Sequence, residues 1–99
     1  MEPEFEFDPT KSAINHDKHG IDFGEAQMLW RVFGVIKRLP FPLEDRWLRV
    51  ARLGDRHWSA VFTLRGETIR LISARRARKD EVHSYEHARQ AQDEHDHEP

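Results

Sequence analysis

The chain has no cysteine, which excludes disulfide cross-links and thiolate zinc sites and fits a reducing cytoplasm. No apolar run approaches the roughly 18 residues of a membrane span. Met1-Glu2-Pro3-Glu4 is acidic where a secretory signal would be basic and then apolar. The phosphate-binding GxxxxGK loop, the GxGxxG dinucleotide turn, the GxSxG nucleophile elbow and the HExxH zinc helix are all missing. Those gaps remove the ATPase, dinucleotide-binding and metalloprotease classes. What is present is enough for one small core. Ninety-nine residues, 37% hydrophobic, with three Trp and six Phe, predict a single cytoplasmic domain.

The net charge of -2 conceals an uneven distribution. Residues 1–8 and 91–99 carry four acids each and no Lys or Arg. All 16 basic residues therefore lie in 9–90 against ten acids, a net of +6. A basic body with acidic ends points to a polyanion or an acidic partner, or to nothing more than a well-solvated surface.

Glu4-Phe5-Glu6-Phe7 alternates as a short edge strand does. Asp8-Pro9 reads as an N-cap and first-turn proline, opening a helix that Gly20 ends in a left-handed conformation. Asp22-Phe23-Gly24-Glu25 opens a second helix by a capping box, with Phe23, Ala26, Trp30 and Phe33 as its buried stripe. Three strand-like runs follow, 46–53, 57–64 and 67–74, separated by Gly54-Asp55-Arg56 and Arg65-Gly66. Trp58, Ala60, Phe62 and Leu64 share one face of the middle run. Residues 78–90 predict a third helix, and 91–99 an acidic disordered tail outside the domain of residues 1–90. The expected fold is α+β, a small antiparallel sheet with helices packed on it, in the order β-α-α-β-β-β-α.

Several clusters could carry chemistry. Lys18 and His19 close the first helix, where they can hold an anion and move a proton or simply complement the helix dipole. Arg70, Arg75, Arg76, Arg78 and Lys79 form a cationic run leaving the last strand, either a phosphate cradle or a solvated edge. Arg70 and Arg75 are five apart and so point to opposite faces of a regular strand; they share a site only if Arg75 lies past the strand's end. Glu81 and Tyr85 are helical neighbours, suited to proton transfer or to packing. His83 and His87, with His95 and His97, have no fixed third ligand or second shell, so chance spacing is preferred to a metal site.

Phe5-Glu6-Phe7-Asp8-Pro9-x-Lys11, Asn15-x-x-Lys18-His19-Gly20, Phe23-x-Glu25-Ala26, Glu44-Asp45-Arg46-Trp47 and Ile69-Arg70-Leu71-Ile72-Ser73-Ala74-Arg75-Arg76-Ala77 with Glu81 and Tyr85 occur in order. Over roughly residues 5–87 this pattern resembles BrnT-type toxins, the ribonuclease partners in bacterial type II toxin–antitoxin pairs. The resemblance implies a RelE-like fold with helices on one side of a small antiparallel sheet. It implies endoribonuclease activity without a cofactor or metal, and inhibition of translation and growth. It also implies a ribbon–helix–helix antitoxin, which supplies the operator DNA contacts when the pair represses its own promoter. Carried over by position, Lys18, His19, Arg46, Arg70, Arg75, Glu81 and Tyr85 are the catalytic candidates, with Arg76, Arg78 and Lys79 beside them for RNA binding.

Where the family has an Asp and then a His-Ser pair, this chain has Leu39-Pro40-Phe41-Pro42-Leu43. A basic module that binds RNA or protein and cuts nothing is therefore the rival reading. Metal-free cleavage of RNA by its own 2′-hydroxyl needs a base, a cationic clamp and an acid. Glu81 or His19 fits the base, the arginines and Lys18 the clamp, and Tyr85 or His19 the acid.

Overall fold

The computed structural model describes residues 2–96. Among them the chain forms β1 (Phe5–Glu6), α1 (Pro9–His19), α2 (Phe23–Ala26), a 3₁₀ turn (Gln27–Trp30), β2 (Gly34–Leu39), β3 (Arg46–Leu53), β4 (Arg56–Arg65), β5 (Thr68–Arg76) and α3 (Lys79–Asp96). The caps act as their residue types dictate. The Asp8 carboxylate accepts from the Thr10 and Lys11 amides, Gly20 ends α1 at φ 77°, and Asp22 and Glu25 form a reciprocal capping box. The α+β class holds.

The element order differs from expectation by one strand, β2, and the second helix, expected to carry its stripe as far as Phe33, ends at Ala26 and passes through the 3₁₀ turn. The cause lies twenty residues downstream. Arg49 on β3 donates to the carbonyls of Leu29 (2.9 Å) and Val32 (3.0 Å), taking acceptors that a continuing helix would use. Gly34 makes room for that guanidinium, since a Cβ there would lie 2.9 Å from it. The chain then turns into an edge strand. At the other end α3, expected to stop at Gln90, runs on to Asp96. Residues 79–96 contain neither Gly nor Pro to end a helix, and the Gln90 amide reaches the Glu94 carboxylate at 3.3 Å. The expected disordered tail thus begins as helix; residues 97–99 lie outside the described residues.

The sheet order is β1-β5-β4-β3-β2. It is mixed rather than antiparallel, because β1 pairs parallel with β5. Helices also cover both faces instead of one. On one face α1, α2 and the 3₁₀ turn bury Phe23, Leu29, Trp58, Phe62 and Leu71. On the other, α3 lays Tyr85 over Leu48 and Val50, with Phe33 packed beside them. Phe33 therefore belongs to the core under α3, away from the Phe23 stripe.

Beyond Arg70, β5 loses its β1 partner, and Asn15 of α1 takes over the exposed edge. Its amide donates to the Ala74 carbonyl (2.8 Å) and its carbonyl accepts from the Ala74 N–H (3.1 Å). A third bond, to the Ile21 carbonyl at 2.7 Å, fixes the turn after α1. Buried polar groups need such partners, and this one satisfies a strand edge as well.

Trp58, Ala60 and Phe62 are buried on the expected face, whereas Leu64 is half exposed. Trp58→Ala should therefore cost about 3–5 kcal/mol by thermal or denaturant unfolding. A melting temperature equal to that of the parent would contradict this face assignment.

Candidate active site

The face under α3 is only partly covered, and a β-bulge decides which cations reach it. Val61 pairs with Ser73 but Phe62 pairs with Leu71, leaving Ile72 as an extra residue in β5. An extra residue resets the alternation of side chains. Arg70 thus stands opposite Thr63 and Arg75 opposite Ser59, on the same face. Arg75 needs no position past the strand's end to join Arg70, since β5 runs to Arg76. Arg46 lies on this face too, two residues before Leu48, which pairs with Val61.

Two groups of polar side chains occupy the face, separated by the four residues from Thr63 to Ser59, or about 13 Å of strand. The first surrounds a cleft of about 200 Å³ lined by Lys11, Glu44, Arg46, Thr63, Arg65 and Arg70, with no contribution from α3. Arg46 pairs with Glu44 at 3.0 Å, and its guanidinium lies 3.7 Å above the Phe41 ring. Arg70 and Arg65 approach Glu6 at 3.6 and 3.8 Å. These pairs hold the guanidinium groups in place while leaving donors free for an anion.

The second group is built around Glu81. Its carboxylate accepts from Arg75 twice (2.8 and 2.9 Å), from the Ser59 hydroxyl (2.8 Å) and from the Arg78 backbone N–H (2.9 Å). The last bond is half of a capping box at the start of α3. The Arg75 hydrogen bonds lead the causes that hold the Glu81 carboxyl down to about 2, and the same bonds raise Arg75. A carboxylate so fully engaged is a poor proton acceptor at neutral pH. Its geometry suits it to orient Arg75 and to pin α3 to β4.

Beside it, His57 Nε2 meets the Glu86 carboxylate at 2.9 Å, and Arg52 reaches the same oxygen at 3.8 Å. The imidazole stacks edge-on against Tyr85, 5.2 Å between ring centres. Tyr85 itself is only 1% exposed, and its hydroxyl meets Arg89 at 3.5 Å. Its ring is a packing element with a polar tip at the rim.

Of the residues expected at a site, Arg46, Arg70, Arg75 and Glu81 share one sheet face, and Tyr85 sits at its α3 end. Lys18 and His19 are exposed in the last turn of α1 and, among the described residues, make no side-chain hydrogen bond or ion pair. Arg76 points to the opposite face, 5.5 Å over Trp58. Arg78 and Lys79 are exposed at the start of α3. Ser59, His57, Glu86 and Arg52 were not singled out from sequence. The signal for the first two was the other alternation of β4, where His57, Ser59 and Thr63 interleave with the core residues. His83 and His87 are exposed, with ring centres 6.4 Å apart. Among the described residues no three His, Asp or Glu side chains are grouped to hold a metal ion.

No described helix is long and apolar enough to cross a membrane. A search of curated proteins finds no match. The family described as the ribonuclease toxin BrnT of type II toxin–antitoxin systems matches residues 7–81. That span runs from Phe7, two residues before α1, to the Glu81 that ties Arg75 to α3. The chain belongs to the BrnT family of ribonuclease toxins.

Proposed function

We propose that this protein cleaves single-stranded or loop RNA without a metal ion, on the sheet face that α3 partly covers. The observation that carries the reading is the bulge at Ile72, which puts Arg70 and Arg75 on the same face as Arg46. Three guanidinium groups oriented by carboxylates suit phosphate oxygens, whose geometry Arg matches with paired hydrogen bonds. RNA carries its own nucleophile in the 2′-hydroxyl, so the protein need only hold the phosphate, stabilise charge on it and move protons. The carboxylates on the face are engaged by guanidinium groups, which favours this electrostatic mechanism over metal ligation. The family resemblance also carries the reading of the fold as RelE-like.

A type II toxin has an antitoxin partner. The antitoxin in this proposal is a ribbon–helix–helix protein that covers the same basic face and supplies any operator DNA contacts of the pair. The net of +6 in residues 9–90 favours an acidic partner segment there and a salt-sensitive association rate.

Incubating the purified protein with RNA in EDTA tests the mechanism. Cleavage should persist. Loss of cleavage in EDTA, restored by magnesium or zinc, would overturn the metal-free reading. Induced expression in a bacterial host separates this reading from a module that binds without cutting, the alternative favoured by Leu39–Leu43 in place of the His-Ser pair. The toxin should arrest growth.

A further inference from the structure

Resting on the cleavage reading above, we propose that His57 Nδ1 is the base that takes the proton from the attacking 2′-hydroxyl. The Glu86 carboxylate, 2.9 Å from Nε2, can only accept, so Nε2 carries the proton and Nδ1 of the neutral ring carries the lone pair. A carboxylate that sets the tautomer of a histidine and orients it is the recurring way proteins prepare such a base. Among the described residues no buried side-chain nitrogen or oxygen lacks a partner, so Nδ1, which has none, reaches solvent.

The ring is held from two sides and its backbone is fixed beside it. Tyr85 packs edge-on against it, Glu86 binds Nε2, and the Ala77 N–H donates to the His57 carbonyl at 3.0 Å. The charged or titratable groups facing it are Glu86 and Tyr85 from α3 and Arg52 from β3. Arg75 sits diagonally across on β5, since its partner Ser59 is two residues from His57 on the same face. Diagonal neighbours in a sheet lie about 7–8 Å apart at their backbones, so a phosphate held by Arg75 would lie beside the imidazole. Arg75 keeps donors free for it, because Glu81 and the Arg76 carbonyl take three of its five N–H groups.

The step balances within RNA, protein and water. His57 Nδ1 takes the 2′-proton, O2′ bonds to phosphorus, and the bond from phosphorus to O5′ breaks. The 5′-oxygen leaves with a proton from water, giving a 2′,3′-cyclic phosphate and a 5′-hydroxyl. Glu81 is too weak a base for this step, and among the described residues the His19 side chain has no hydrogen bond or ion pair to orient it.

The test compares wild type with His57→Gln and His57→Ala in EDTA, measuring kcat, KM, the pH–rate profile and melting. His57→Gln keeps a hydrogen-bonding side chain beside Glu86 but cannot take a proton. The expected result is a kcat lower by about 10²-fold or more, a KM within about threefold and loss of the acidic limb of the profile. Added imidazole should restore part of the rate to His57→Ala. A His57→Gln enzyme with the parent rate and profile would overturn the role of His57 and leave the cleavage reading standing. So would a flat wild-type profile, which needs no variant to fold. Wild-type protein that leaves RNA intact would overturn the cleavage reading itself, and the role of His57 with it.

Discussion

Replacing Arg46 and Arg70 together by alanine should weaken RNA binding by about 10–100-fold and slow cleavage at low RNA concentration to match, the loss expected for two charge-assisted contacts to phosphates flanking the one at Arg75. The fold should survive. Arg46 pairs with Glu44 and stacks on Phe41, and Arg70 approaches Glu6 at 3.6 Å, with both side chains more than a quarter exposed. Ion pairs of that exposure contribute at most about 1 kcal/mol each, against a total of roughly 5–15 kcal/mol for a domain. Activity and melting temperature should therefore separate. A double variant that cleaves at the parent rate would show that the open cleft plays no part in holding RNA.

Glu81→Ala should do the opposite and act first on stability. It strands the Ser59 hydroxyl, the Arg78 N–H and the Arg75 guanidinium, whose side chains at Ser59 and Arg75 are buried and partly buried. Removing one partner of such a group costs about 2–4 kcal/mol, because the others lose a desolvated acceptor. The pH dependence has a definite sign. Glu81 titrates at about 2 in the folded protein against a usual 4.5, so the unfolded chain binds its proton first on acidification. The stability it contributes is complete above about pH 4.5 and is lost as the pH falls from there toward about 2. Melting curves between pH 7 and pH 3 should thus fall more steeply for the parent than for Glu81→Gln. Parallel curves would contradict the assignment of Glu81 as the group that anchors α3.

Local chemistry was legible wherever the determinant is local. Asp8 with Pro9, Gly20, and Asp22 with Glu25 mark helix ends through their own side chains and dihedral angles, and the Gly54 and Gly66 turns delimit β3 to β5. β2 was not legible, because what turns the chain there is Arg49 on a different strand, meeting the Leu29 and Val32 carbonyls. The Ile72 bulge was hidden for a similar reason. Its extra residue shows only once β4 is laid beside β5, so counting alone puts Arg70 and Arg75 on opposite faces.

The site followed the same division. Residue types suited to phosphate were readable along 70–79, and the family pattern singled out Arg46, Arg75 and Glu81. Their roles were not readable. Glu81 looks like a base in sequence, and only its four hydrogen bonds make it a clamp on Arg75. Tyr85 looks like an acid until its ring is seen under α3. His57 drew no notice, since its orienting carboxylate, Glu86, lies 29 residues away.

The chemistry of the RNA ends tests the central claim most directly. A defined RNA is incubated with the purified protein in EDTA, and the new termini are identified by mass and by reactivity toward kinase and phosphatase. Attack by the 2′-hydroxyl predicts a 2′,3′-cyclic phosphate on one fragment and a 5′-hydroxyl on the other, with no cut at a nucleotide whose 2′-hydroxyl is replaced by hydrogen. Fragments bearing 5′-phosphates, or cleavage at a 2′-deoxy position, would contradict it.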